Sequence, residues 1–157
     1  MITWLDYKFH QSEIIKMIKS ALKVLSENDV GETNSHQAGF LIPKEFVRNG
    51  LFEELPNDSL NPRLRLRILD LTDNSELFVS YIFYNNRYFG GTRFEYRLTG
   101  LTRWIKNHGL RSGDVLQITR TDKHEYSVDI LKGERKPSTL STESWVALYG
   151  EEKSNGK

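Results

Sequence analysis

Between Arg63 and Ile68, arginine alternates with leucine or isoleucine, the period-two pattern of a strand with one face in the core and the other in water. ELFVSYIFY follows as a second such run, and YNNRYFGG breaks it with asparagine and two glycines. Further on, VLQITRT and YSVDIL flank the polar DKHE as the limbs of a hairpin do. AGFLIP is a short apolar run that stops at Pro43, as a strand end would. KEFVRNG then reads as a brief helix closed by Gly50, and Leu101 to His108 as another that ends at Gly109. Ser12 to Leu25 departs from this pattern. Ile14, Ile15, Ile18, Leu22 and Leu25 recur there at three-to-four-residue spacing, with Lys16, Lys19 and Lys23 on the remaining arc, which predicts an amphipathic helix with Ser12 as N-cap. Many short strands and few, short helices predict a mostly β (α+β) barrel or sandwich.

A chain of 157 residues fits one ordinary domain, expected over residues 1–150, with the polar Glu151 to Lys157 as a flexible tail or the start of a linker. Hydrophobic residues make up 38% of the sequence, enough for a core, yet no run approaches the roughly 20 apolar residues that span a bilayer. MITWLDYKF lacks the basic segment and apolar run of a signal peptide, so a cytoplasmic protein is expected. Cysteine is absent, which excludes disulfide frameworks and thiolate metal sites. With 22 Lys and Arg against 21 Asp and Glu, the net charge is only +1, so any nucleic-acid contact must be local. Charge is indeed uneven: from Asn85 to Arg103 four arginines, Arg87, Arg93, Arg97 and Arg103, stand against the single acid Glu95.

Two polar constellations carry chemistry. Asn34, Ser35, His36 and Gln37 close the long loop SENDVGETNSHQ, immediately before a strand, and each can offer hydrogen-bond groups to a base edge. Turn chemistry with a strand cap is the other reading. In Thr92 to Arg97, a strand would project Arg93, Glu95 and Arg97 from one face and Phe94 and Tyr96 from the other. Arginine forks onto the guanine major-groove edge and glutamate accepts from the cytosine amino group, so this row suits G and C. A simple Arg–Glu–Arg ion-pair row on a solvent face would look the same. Arg63, Arg65 and Arg67 read as a solvated strand face, with phosphate contact as the alternative.

LSENDVGETNSHQAGFLIPKEF and GTRFEYRLTGLTRWIKNHGLRSGDVLQITR together resemble the two recognition arms of the B3-like DNA-binding pseudobarrel. That fold occurs in plant transcription factors and, more closely here, in the N-terminal effector-binding domains of EcoRII-like type II restriction endonucleases. The resemblance covers roughly Leu25 to Arg120. It implies a seven-stranded open β-pseudobarrel with two or three short helices that grips the major groove of double-stranded DNA between two arms. Asn34, Ser35, His36 and Gln37 fall on the first arm; Arg93, Glu95, Tyr96 and Arg97 fall on the second, with Arg87 in its basic stretch. Lys23 is implied as a backbone contact beside the first arm. The pattern of that family favours glycines where this chain has Asn34 and Ser35, and a basic residue where it has Tyr96. A short GC-rich target of the CCWGG kind, and a nuclease domain fused or supplied in a complex, are what the resemblance implies. A complete small DNA-binding regulator is the alternative.

Catalysis by this chain itself is not expected. Restriction-type nucleases need an Asp and, downstream, Glu-x-Lys around a magnesium ion. Glu134 with Lys136, downstream of Asp114, fits formally, as do Glu151 to Lys153, but in a chain with 27% charged residues such triplets arise by chance. No His-x-Lys pair, zinc-ligand spacing or phosphate-cradling Gly-x-x-x-x-Gly-Lys occurs, so neither cofactor nor metal is expected. The aromatics Tyr81, Phe83, Tyr84, Tyr88, Phe89, Phe94 and Tyr96 admit another reading, a base-stacking platform for single strands, against ordinary strand filling.

Overall fold

The computed structural model describes residues 17–32, 39–131 and 144–149. Its strands are β1 (Ile18–Val24), β2 (Phe40–Ile42), β3 (Arg63–Asp70), β4 (Glu76–Tyr84), β5 (Glu95–Thr99), β6 (Val115–Asp122), β7 (Glu125–Leu131) and β8 (Trp145–Tyr149). Two short helices, α1 (Lys44–Arg48) and α2 (Thr102–Asn107), and a 3-10 turn over Asn86–Phe89 complete the described elements. The strands form one sheet in the order β2-β5-β4-β3-β7-β6-β1-β8. All neighbours are antiparallel except β3 and β7, which run parallel. The two edges of the sheet approach each other, since Trp145 Nε1 on β8 donates to Leu41 O on β2 at 3.0 Å. The sheet is therefore curled into an open barrel.

Two expectations are corrected. The sheet has eight strands rather than seven, because Trp145–Tyr149 pairs with β1; Trp145, only 1% exposed, anchors that strand in the core. Ile18–Val24 is a strand, not the second half of a helix over Ser12 to Leu25, of which residues 12–16 lie outside those described. Both edges of β1 are hydrogen-bonded, to β6 and to β8. The β1 register against β8 shifts between Ile18 and Ser20, so Ile18 and Ala21 are both buried and the simple alternation is lost in favour of a spacing that mimics a helix.

Elsewhere the patterns hold. Along β3, Leu66 and Ile68 are buried while Arg63, Arg65 and Arg67 are exposed. Arg67 pairs with Glu76 and Glu125, and Arg65 covers the Phe78 ring at 4.4 Å, the contacts of a solvated strand face. Inside the barrel, aromatic rings run in a ladder from Tyr126 through Phe52, Tyr81 and Tyr96 to Phe83, with centroid separations of 5.2, 5.4, 5.5 and 4.3 Å. Tyr81 OH donates to Glu53 O at 2.8 Å and Tyr126 OH to Leu51 O at 2.7 Å, so the buried phenols are satisfied. Burial pushes the Tyr126 hydroxyl up to about 12. These rings fill the core, as large alternate strand residues do. Of the aromatics that a base-stacking platform would use, Tyr81, Phe83 and Tyr96 are therefore committed to the core, whereas Tyr88 and Phe89 are exposed.

Candidate nucleic-acid interface

The connection from β4 to β5 leaves the barrel between Tyr84 and Glu95 and is built as a stiff projection. Its foot is Asn85, fully buried, which accepts the Asn61 backbone N–H on Oδ1 at 2.8 Å and donates from Nδ2 to Ser59 O at 2.7 Å. With both its side-chain oxygen and its side-chain nitrogen bonded to backbone, Asn85 ties the root of the loop to the 59–61 segment. The chain then turns through Asn86–Phe89, and Gly90 at φ +89° supplies the left-handed cap. Arg87 N–H donates to Arg93 O at 3.1 Å and closes the neck.

Arg93, Glu95 and Arg97 share one side of the following segment, as the alternation demands. Arg93 Nε lies 2.6 Å from Glu95 Oε1, and Arg97 Nε lies 3.3 Å from the same oxygen. Arg93 also spreads over the Tyr84 ring, with its guanidinium carbon 3.7 Å from the centroid. Burial pushes the Glu95 carboxyl up, but the hydrogen bonds and charges of Arg93 and Arg97 outweigh it and leave it below the ordinary glutamate range. The three side chains differ in access: Arg93 is 38% exposed, Glu95 23% and Arg97 only 7%. Arg97 also reaches back to Gly39 O at 3.4 Å, across the β2–β5 pairing. Phe94, on the opposite side, is covered by Lys44 Nζ at 4.1 Å and by the Arg87 guanidinium at 4.9 Å. Four cationic side chains, Lys44, Arg87, Arg93 and Arg97, thus converge on this projection with one carboxylate among them. A cleft of about 570 Å³ opens beside it, lined by Pro43, Lys44, Phe46, Phe94 and Trp145 among others.

Tyr96 and Lys23 are placed otherwise than their expected roles require. Tyr96 is 6% exposed and lies flat against Phe83, within 5° of parallel, so it is a rung of the core ladder rather than a group offered to a base. Lys23 is buried: its ammonium pairs with Asp29 at 3.0 Å and lies over the Phe40 ring of β2 and the Trp145 ring of β8. A phosphate contact would have to draw that side chain out of a closed site. Asn34, Ser35, His36 and Gln37 lie outside the described residues, as do Glu134, Lys136 and the tail. Gly39, where the description resumes, has φ +90° and packs against the β5 backbone.

Sequence reasoning did not single out Asn85, which looks like any turn asparagine before Gly90 and Gly91, nor Lys44, whose position over Phe94 depends on the β2–β5 pairing. It also passed over Asp70, Asp73 and His108, whose donor atoms lie within 4.8 Å of one another at the far end of β3. Asp70 Oδ2 accepts Trp104 Nε1 at 2.8 Å and sits 2.9 Å from His108 Nε2, while Thr72 N–H binds Oδ1 at 2.9 Å. That is a buried carboxylate with its hydrogen bonds made, a packing device between α2 and β3.

No helix among the described residues is long and apolar enough to cross a membrane. Residues 15–124 match the family described as "Restriction endonuclease EcoRII, N-terminal". The type II restriction enzyme EcoRII of Escherichia coli is 37% identical over 100 residues, which cover 62% of this chain and 23% of that enzyme. The chain therefore spans under a quarter of the relative it matches. Among solved structures, the Arabidopsis FUS3–DNA complex aligns with a TM-score of 0.53 at 19% identity, over 72% of this chain and 96% of that one. The B3 domain of UbaLAI restriction endonuclease, solved with cognate DNA, aligns with a TM-score of 0.50 at 20% identity, over 91% and 98%. At such identities these two likenesses establish the shared fold.

Proposed function

The chain belongs to the EcoRII N-terminal restriction endonuclease family, and from that premise we propose that it recognises a short sequence in double-stranded DNA through two arms on one rim of the barrel. The observation that carries this reading is the Arg93–Glu95–Arg97 cluster on a rigid projection. A guanidinium fork on Arg93, aimed by the Glu95 carboxylate that Arg97 holds from behind, is pre-organised for a guanine edge, and pre-organisation lowers what binding must spend on ordering side chains. Arg93, with Arg87 and Lys44 beside it, meets the duplex; Arg93 and Glu95 read bases, and Arg87 and Lys44 hold phosphates. Asn34, Ser35, His36 and Gln37 form the first arm's reading set. Arg97, Tyr96 and Lys23 support these groups from within.

A short GC-rich target, of the CCWGG kind, fits the Arg-Glu-Arg row. The domain binds a target or effector site for a type II restriction endonuclease whose catalytic domain is elsewhere, in a prokaryotic cytoplasm, and cuts nothing itself. Selection of binding sites from random duplexes tests this reading. A consensus with G and C at fixed positions is expected, and Arg93→Ala should relax one of them at a cost of about 1–3 kcal/mol. Failure to recover any consensus would overturn the reading, and magnesium-dependent cleavage by this chain, lost in Glu134→Ala, would overturn the assignment of catalysis to another domain.

A further inference from the structure

The tip of the second arm carries two large apolar side chains that the core does not use. Tyr88 is 52% exposed and Phe89 51%, on a 3-10 turn of four residues. Tyr88 is steadied by an edge contact with Phe94 at 5.6 Å. Phe89 makes no ring contact among the described residues. The turn that presents them is fixed at both ends. Tyr88 N–H donates to Asn85 O at 3.0 Å, Gly91 N–H donates to Asn86 O at 2.8 Å, and a side chain at position 91 would meet Asn86 Cβ at 2.7 Å. An exposed aromatic on a mobile loop has little meaning, since single apolar residues on surfaces are common. Two of them, held at the end of a stiff projection and flanked by Arg87 and Arg93, form an apolar point inside a cationic collar.

The collar selects the occupant. Cations draw a polyanion to this tip, and the apolar feature that a duplex offers in its major groove is the pyrimidine C5-methyl group, carried by thymine and by 5-methylcytosine. Resting on the base-reading function proposed above, we propose that Phe89, with Tyr88 beside it, contacts a pyrimidine C5-methyl group at the edge of the bound site, so that the domain discriminates methylated from unmethylated pyrimidine at one position. Hydrogen-bonding arginines cannot make this distinction, because uracil and thymine present the same O4 acceptor. An aromatic ring can, because burying one methyl group is worth about fourfold in affinity.

The test removes or adds only that methyl. The consensus duplex recovered by selection, with two flanking pairs on each side, is titrated with each thymine in turn replaced by uracil and each cytosine by 5-methylcytosine. Wild-type protein should show one position at which the methyl strengthens binding about fourfold. Phe89→Ala, in an exposed position that leaves the fold intact, should bind the methylated and unmethylated duplexes equally, and Phe89→Leu, still apolar, should restore part of the preference. Equal wild-type affinity for every pair of duplexes would overturn the proposal, and so would a methyl preference that survives unchanged in Phe89→Ala. Wild-type preference for the consensus over scrambled DNA, measured in the same titration, separates these failures from failure of the base-reading function itself, whose loss would remove both.

Discussion

Arg97 Nη1 donates to the carbonyl oxygen of Gly39 at 3.4 Å, so a side chain of the second arm binds backbone just two residues beyond Gln37 of the first. The same guanidinium holds Glu95. One buried arginine therefore holds both the Glu95 carboxylate and the backbone at the start of β2. Arg97 and Arg93, alike in the sequence, should then behave differently. Arg93→Ala should relax discrimination at one base pair, whereas Arg97→Ala should weaken binding to the consensus with no single position relaxed and reduce stability by about 1–3 kcal/mol, as loss of charged hydrogen bonds does. Competition between singly mutated duplexes, beside urea unfolding, reads both effects.

Lys23 offers a second contrast. Its ammonium and the Asp29 carboxylate are 5% and 7% exposed and 3.0 Å apart. Removing one member of such a pair leaves the other charge buried, at a cost of about 3–5 kcal/mol. Ser26 N–H, which also donates to Asp29 at 2.8 Å, keeps that cost toward the lower end. Lys23→Ala should accordingly lower the urea midpoint strongly, and adding Asp29→Asn should recover part of the loss. Unchanged stability together with weaker binding to all duplexes would instead make Lys23 a phosphate contact.

Glu95 makes the acid limb of stability a probe of the second arm. Because Arg93 and Arg97 outweigh burial and depress its folded pKa, ionised Glu95 adds stability above its unfolded pKa and loses it as pH falls through the folded one. The wild-type protein should lose stability below about pH 4.3, the ordinary glutamate value, and Glu95→Gln should lose measurably less over the same interval. The comparison is needed because Asp73 and Glu76 are depressed too and add to the acid limb of both proteins. Thermal unfolding of the two proteins at matched ionic strength, from pH 6 downward, checks the difference.

The strands that show one face to water were legible because each obeys a single period: β3 alternates arginine with buried Leu66 and Ile68 without exception. β1 imitates a helix because its register shifts between Ile18 and Ser20, so that buried Ile18, Ala21 and Val24 recur at three-residue spacing. β8 was missed because five residues in a polar region carry no periodicity, and only contact with β1 and the core gives Trp145 its place. At the candidate site, the alternation of Arg93, Glu95 and Arg97 fixed which side chains share a side. It held no information on depth. That Arg93 is accessible and Arg97 is not follows from β5 lying between β2 and β4, a fact of tertiary pairing that local sequence does not carry.

Two glycines with the same backbone angle should respond oppositely to alanine, and the difference bears on how the arms are anchored. Gly39 and Gly90 have φ of +90° and +89°, so a side chain strains the backbone at either by about 1 kcal/mol. At Gly90 nothing lies within 4 Å of an added Cβ, so Gly90→Ala should cost only that strain. At Gly39 the added atom would stand 2.3 Å from Leu98 O and 2.9 Å from Thr99 Cγ2. Leu98 O is backbone of β5, held between β2 and β4, and cannot yield without breaking the pairing of Phe40 with Leu98. Gly39→Ala should therefore lower stability by several times the Gly90→Ala loss, displace the Gly39 carbonyl from Arg97, and abolish consensus binding even where the domain is still folded. Circular dichroism melts and duplex titrations of the two variants side by side decide the matter: equal melting temperatures and equal affinities would mean that the start of β2 is not a rigid foot for the first arm.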